Sequence, residues 1–224
     1  VRGDGAGLAR RDGPEDDARA EASVGGHVPA EGVRHPERPL SWREPPAEVV
    51  TTGALPLGAL VHPDRAACAY AAAFVRAPRE LHAAVRVGSS GPVRVWVGGD
   101  LVLERDDLER PARPDQDAAA IRLDAGWNRV LVKSCVREGR WETFVRLTDP
   151  AGRPLPIEVA ASPPPQGASL GGGRAAHPVE TLRAALEERT RARPGSPEAW
   201  ADLGRFNLFV SPDGPRKRDA IVAL

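Results

Sequence analysis

The sequence lacks a net charge, because its 31 lysine and arginine residues are balanced by 31 aspartate and glutamate residues. Nucleic acids and anionic membranes are attracted largely by excess positive charge, so neither is predicted as a partner. Lysine is nearly missing: Lys133 and Lys217 are the only two. We attribute the use of arginine to GC-rich coding rather than to phosphate recognition. No apolar run approaches the roughly 20 residues of a membrane-spanning helix, so no membrane insertion is predicted.

Methionine is absent altogether. The chain opens on Val1 within polar sequence, and residues 220–224, Ala-Ile-Val-Ala-Leu, have the character of the middle of a helix. Together these features predict that the sequence is a segment of a larger protein.

Cysteine is scarce, and both residues, Cys68 and Cys135, fall on candidate strands. They could form a disulfide in an oxidising compartment, or they could be two small buried hydrophobic residues, and both interpretations stay open. The compartment stays open too, with the cell envelope or secretion favoured over the cytoplasm. Because neither Cys-x-x-Cys nor His-x-x-x-His occurs, no tetrahedral metal site is predicted.

The sequence also lacks the motifs of nucleophilic catalysis. It has no Gly-x-Ser-x-Gly elbow, and Cys135 lies in an apolar strand pattern in which a thiol is expected to be inert. The glycines at 171–173 are not followed by the Lys-Ser/Thr of a phosphate-binding loop. We therefore expect this segment not to be an enzyme, and any catalytic domain would lie outside it.

Composition divides the chain into four stretches. Residues 1–47 are rich in Gly, Pro and charged residues, and are predicted to be mostly disordered because they hold too little apolar surface to offset their conformational entropy. Residues 48–160 alternate apolar and polar positions between turn residues, which predicts an antiparallel β-sandwich. Residues 161–175 form a Pro/Gly linker. Residues 176–224 change to a helical period and are predicted to be truncated helices.

Within the sandwich, several short strands are separated by turn signals at intervals of about 8–12 residues, which favours a sandwich or jelly roll over a parallel sheet. The alternation is clearest at 81–87, 93–97 and 119–123. The strand at 68–75 is predicted to be buried on both faces, with its alanines allowing close packing of the two sheets. The fold class is therefore multi-domain, β followed by α.

The helical stretch is predicted to begin at Pro178, with Val179, Leu182 and Leu186 on one face. Ser196 can cap a second helix whose inward residues are predicted to be Trp200, Leu203 and either Phe206 or Asn207. A third helix should follow the break at 213–215, Asp-Gly-Pro.

The segment 194–204, Pro-Gly-Ser-Pro-Glu-Ala-Trp-Ala-Asp-Leu-Gly, resembles a tetratricopeptide repeat, with Ala220 and Ala223 in the following helix. It departs from the family pattern at Asn207, where a tyrosine is usual, and in the longer turn at 211–216. The resemblance implies protein–protein scaffolding through Trp200, Leu203 and Phe206, and it implies further repeats in the parent chain.

Two segments resemble the galactose-binding-like jelly rolls that accompany glycoside hydrolases and other large enzymes. They are 93–102, Val-Arg-Val-Trp-Val-Gly-Gly-Asp-Leu-Val, and 126–133, Gly-Trp-Asn-Arg-Val-Leu-Val-Lys. Gly98 takes a position that is usually Asn, so the turn is looser. The order of sandwich and repeat is also similar to that of large multidomain bacterial proteins, some of which carry a transglutaminase-like domain elsewhere.

Four residues are candidates for ligand binding. Trp96 alternates with two valines, so it should lie on the outer face beside Arg94 as a platform for a sugar ring, or simply stack on the cation. Asp115 and Asp117 could hold a Ca²⁺ ion with carboxylate oxygens, or they could cap backbone N–H groups of their loop.

The favoured function is non-catalytic scaffolding through a protein partner, and the alternative is a carbohydrate-binding module. Apart from that possible Ca²⁺, no cofactor is predicted.

Overall fold

The computed structural model describes residues 42, 44–46, 53–106, 110–162, 164–165 and 168–209. The predicted disorder of residues 1–47 falls almost wholly outside this part of the chain, and so does the predicted third helix. Within it, ten strands precede two helices of more than one turn. Among the described residues, every helix is too short or too polar to span a bilayer.

The strands form two five-stranded sheets in which every pair of neighbouring strands is antiparallel. The strands are β1 (Ala54–Leu55), β2 (Ala67–Ala77), β3 (Leu81–Ser89), β4 (Val93–Val97), β5 (Asp100–Arg105), β6 (Asp117–Leu123), β7 (Gly126–Val136), β8 (Thr143–Thr148), β9 (Glu158–Ala160) and β10 (Gly173–Arg174). The first sheet has the order β1-β8-β3-β6-β10, and the second has the order β5-β4-β7-β2-β9. The predicted antiparallel β-sandwich followed by helices is confirmed.

The two sheets enclose one main core. Because side chains alternate along a strand, every second residue points toward the opposite sheet, and most of these positions in β3 and β4 carry valine or leucine. The most completely buried of them are Val85, Val87, Val95, Val97, Ile121 and Leu123. Packing is therefore tight where β3 and β6 face β4.

The predicted linker at 161–175 differs from the structure at its glycines. Gly173 and Arg174 form β10, which pairs with β6, and the N–H of Gly171 donates to the carbonyl of Trp127 at 2.9 Å. Only glycine fits at Gly172, since it has φ of +90° and a Cβ there would lie 2.8 Å from Oδ1 of Asn128. The glycines thus allow a close approach to the sandwich rather than supplying flexibility.

The first long helix begins later than predicted. A single-turn helix, α1 (Leu57–Leu60), lies between β1 and β2, and the two longer helices are α2 (Leu182–Ala192) and α3 (Pro197–Phe209). Pro178 precedes α2, whose N-cap is Thr181; its hydroxyl accepts a hydrogen bond from the N–H of Ala184 at 3.1 Å. The N–H groups of the first turn of a helix have no partner within the helix, and the Thr181 side chain accepts from one of them. Pro178 has no such side-chain acceptor, so the helix begins after Thr181.

The two helices pack against each other. Leu186 and Thr190 of α2 and Ala199 and Phe206 of α3 are buried, and the guanidinium of Arg183 lies over the ring of Phe206 at 5.0 Å. Contacts run in antiparallel order, because residue 183 meets residue 207 and residue 189 meets residue 202.

The helical end is attached to the first sheet. His177 stacks on His82 with ring centroids 4.7 Å apart, and its Nε2 lies 2.9 Å from the carbonyl oxygen of Ala83. The N–H of Glu180 donates to the carbonyl of Pro150 at 2.8 Å. The chain therefore enters α2 from a fixed position on the sandwich.

Candidate functional site

An apolar cleft opens between the two sheets on the side where β8 and β1 face β2 and β9. Its volume is about 440 Å³. We call it the inter-sheet cleft. Most of its lining is aliphatic: Leu55, Leu57, Ala69, Ala71, Ala72, Ala73, Val75, Val130, Val132, Val145, Leu147, Ile157 and Val159. Gly53, Ser134, Thr143 and Arg146 complete it. Ligand pockets commonly combine this size with mainly apolar walls and a few polar groups.

The cleft results from the small side chains of β2. Ala69, Ala71 and Ala73 occupy three successive inward positions of β2, whereas most inward positions of β3 and β4 carry valine or leucine, and all three alanines remain half-buried. The expectation that these alanines allow close sheet packing is wrong. β8 does not move in to meet them, so the missing side-chain volume becomes open space. Alternating alanines on a strand were the available sequence signal for this site.

One end of the cleft carries a buried group of hydroxyls. Thr143 donates to Oγ of Ser134 at 2.8 Å, and Nε1 of Trp141 donates to the same oxygen at 3.1 Å. Oγ of Ser89 lies 3.4 Å from the Thr143 hydroxyl. Because Ser134 and Thr143 both line the cleft, its wall is polar at this end and aliphatic along the rest.

The rim of the cleft carries an ion pair. Nε of Arg146 donates to Oδ1 of Asp115 at 2.7 Å, and its Nη2 bonds to the other carboxylate oxygen. The hydrogen bond that Arg146 donates to Asp115 is the main reason why the pKa of Arg146 lies above its usual value. The positive charge of Arg146 is therefore already compensated by the Asp115 carboxylate of the same chain.

Trp96 lies on the face of β4 opposite to Val95 and Val97, as predicted, with Arg94 on the same face. The expected exposure of its ring is wrong, since Trp96 is only 4% exposed. Its cross-strand neighbours are Leu101 and Leu131, so the residue belongs to an apolar patch of the outer face. Nε of Arg94 donates to Glu104 at 2.7 Å rather than stacking in the open.

Asp115 and Asp117 are held by arginines. Asp117 is buried, and its two oxygens accept from Nε of Arg105 and Nη2 of Arg110, both at 2.6 Å. Among the described residues no group of three or more His, Cys, Asp or Glu side chains could hold a metal ion. The structure therefore does not bring the two predicted ligands together around a common centre.

The two cysteines are joined by a disulfide between β2 and β7, which settles the alternative that the sequence left open. Cys68 and Cys135 lie directly opposite each other in the ladder, with Cα atoms 4.0 Å apart. They lie on the outer face. The disulfide therefore links β2 covalently to β7, and these two strands form one wall of the cleft.

The three residues predicted to face inward from the second helix behave differently. Phe206 is buried against α2 and Leu203 is half-buried, but Trp200 is 39% exposed. Nε1 of Trp200 donates to the carbonyl of Pro194 at 2.9 Å. This bond fixes the ring beside the turn between the helices. Leu182, expected on the packed face of α2, is 59% exposed.

Comparisons with known proteins add no relatives: no family model, curated protein or solved structure matches this chain.

Proposed function

We propose that this chain is a non-catalytic interaction segment, in which the sandwich is a rigid base and the helices engage a protein partner. The observation that carries the proposal is the exposed, oriented ring of Trp200. Tryptophan is enriched among residues that dominate binding energy, and a ring held in place by a hydrogen bond loses little conformational entropy on binding.

The strand order of the two sheets and the packing of α2 on α3 also support this proposal. The order 1-8-3-6 in one sheet and 2-7-4-5 in the other corresponds to an eight-stranded jelly roll, extended by β9 and β10. The antiparallel contact between α2 and α3, with Pro194 between them, fits successive helices of a tetratricopeptide-like array. In such arrays each repeat buries its hydrophobic face against the next, so Leu182 and Trp200 would be surfaces for neighbouring elements or partners.

We propose an oxidising compartment for this protein, either the cell envelope or the exterior. The disulfide between Cys68 and Cys135 supports this location, because reduced thiols predominate in the cytosol. The carbohydrate-binding alternative stays a prediction, and the buried ring of Trp96 gives it no aromatic platform.

Site-specific photo-crosslinking tests the proposed interaction. A photoreactive phenylalanine analogue replaces the exposed Arg193 in the full chain, so that Trp200 and its bond to Pro194 are kept, and the matched control carries the same analogue in place of Arg140, whose side chain is 82% exposed. We expect a defined protein partner to be cross-linked from position 193 and not from position 140. Identical products from both positions, or none from position 193, would contradict the proposal.

A further inference from the structure

We propose that the inter-sheet cleft binds a linear hydrocarbon chain that ends in an uncharged hydrogen-bonding group, of the kind found in a long-chain alcohol. This binding site is separate from the helical surface around Trp200. It rests on the shape of the cleft, the charge of its walls and the polarity of one end.

The shape of the cleft favours a linear ligand. It follows β2 from Ala69 to Val75, six residue steps, which corresponds to about 20 Å at 3.3 Å per residue. Its width is limited because facing sheets lie about 10 Å apart and side chains occupy part of that distance. An extended chain fills such a space better than a compact ring system does.

The charge of the walls favours an uncharged ligand. Among the described residues of the lining, Arg146 is the only ionisable one, and Asp115 already compensates it. A carboxylate or ammonium group inside the cleft would lose hydration without gaining a new partner charge, which is costly. Hydrocarbon meets no such penalty against the alanine and valine walls.

The hydroxyl end of the cleft determines how the ligand is oriented. Ser134 and Thr143 are almost fully buried, and Trp141 fixes the position of the Ser134 oxygen. A threonine hydroxyl offers one donor and two acceptor lone pairs, and Thr143 uses its donor on Ser134. Its acceptor capacity can serve a ligand O–H. The ligand therefore places its polar end here and its tail toward Val75 and Val159.

Calorimetric titration of the full chain with primary alcohols of increasing length tests this inference. We expect the affinity to rise about fourfold with each methylene group and to level off once the chain fills the cleft. Carboxylates of equal length should bind at least roughly tenfold more weakly, since their charge is not compensated. No binding, or equal affinity for alcohols and carboxylates, would overturn the proposal.

Two variants locate the ligand in the cleft. Ala71→Phe fills the space beside β2 and should abolish binding, while the control Ala185→Phe, on the exposed surface of α2, should leave it unchanged. Thr143→Val should lower the affinity for alcohols while leaving that for carboxylates the same. Cooperative unfolding verifies that each variant folds, and Val145→Trp at the mouth replaces Ala71→Phe if that variant does not. Wild-type affinity in a folded cleft-filling variant would refute the site.

Discussion

Replacing Asp117 by asparagine tests whether the loop at 115–117 is held by arginines. Asp117 forms a buried pair with Arg110, in which the two side chains are 3% and 4% exposed. Asparagine keeps the shape of the carboxylate but removes its charge, and arginine remains protonated at all accessible pH values. Since a buried cation would lose its counter-charge, Asp117→Asn should lower the free energy of unfolding by about 3–5 kcal/mol.

Asp115→Asn is the matched control, two residues before Asp117 in the loop that leads into β6. Asp115 has φ of +57°, a conformation that asparagine tolerates well, so the change adds no backbone strain. Its partner Arg146 has a side chain that is 54% exposed. Water and salt screen a pair of this kind, and its loss should cost below about 1 kcal/mol.

Urea unfolding at neutral pH measures the free energy of unfolding of both variants, and thermal unfolding measures their Tm. For a chain of 224 residues, the expected loss in Asp117→Asn corresponds to a fall in Tm of about 6–20 °C. The reasoning is refuted if the two variants lose similar stability. It is also refuted if millimolar Ca²⁺ raises the Tm of the wild type but not that of Asp117→Asn, because the aspartate would then be serving a cation.

Three further predictions concern the framework. Replacing Cys68 and Cys135 by serine should cost about 4 kcal/mol by urea unfolding, because the bridge closes a loop of 67 residues; an unchanged midpoint would contradict this. Gly172→Ala should cost about 1–3 kcal/mol, since the methyl group meets Asn128 at positive φ, and calorimetry should show a lower Tm. The N–H of Gly172 donates a hydrogen bond to the Asp124 carboxylate and lowers its pKa. The ionised Asp124 therefore contributes stability above about pH 4, and this contribution is lost as pH falls through the folded-state pKa of Asp124. Acid titration of stability should therefore be steeper in the wild type than in Asp124→Asn, and equal slopes would contradict the argument.

The sheets could be predicted from the sequence because their signal is local. Alternation at 81–87 and 93–97 requires only that successive side chains point to opposite faces, and the turn at Gly98, with φ of +62°, follows from a residue that adopts that conformation freely. Pairing between β3 and β8, separated by more than 50 residues, is not visible in any such window.

The burial of Trp96 could not be predicted in the same way. Alternation predicts on which face of a strand a side chain lies, but not which residues surround it there. The apolar neighbours of Trp96 come from two other strands, at Leu101 and Leu131. The carboxylates at 115 and 117 illustrate the same limit. Their arginine partners at 110 and 146 were visible in the sequence, but their proximity depends on the packing of β8 and the loop before β6.

The alanines of β2 suggest why the disulfide lies where it does. A strand with Ala69, Ala71 and Ala73 on its inner face buries little apolar surface against the opposite sheet, so it gains little stability from the core. Its attachment comes instead from the eleven-residue ladder with β7, and the bridge between Cys68 and Cys135 closes the beginning of that ladder. The covalent bond thus supports a strand that gains little from packing against the opposite sheet. A wall held in this way can face an open cavity without separating from its sheet.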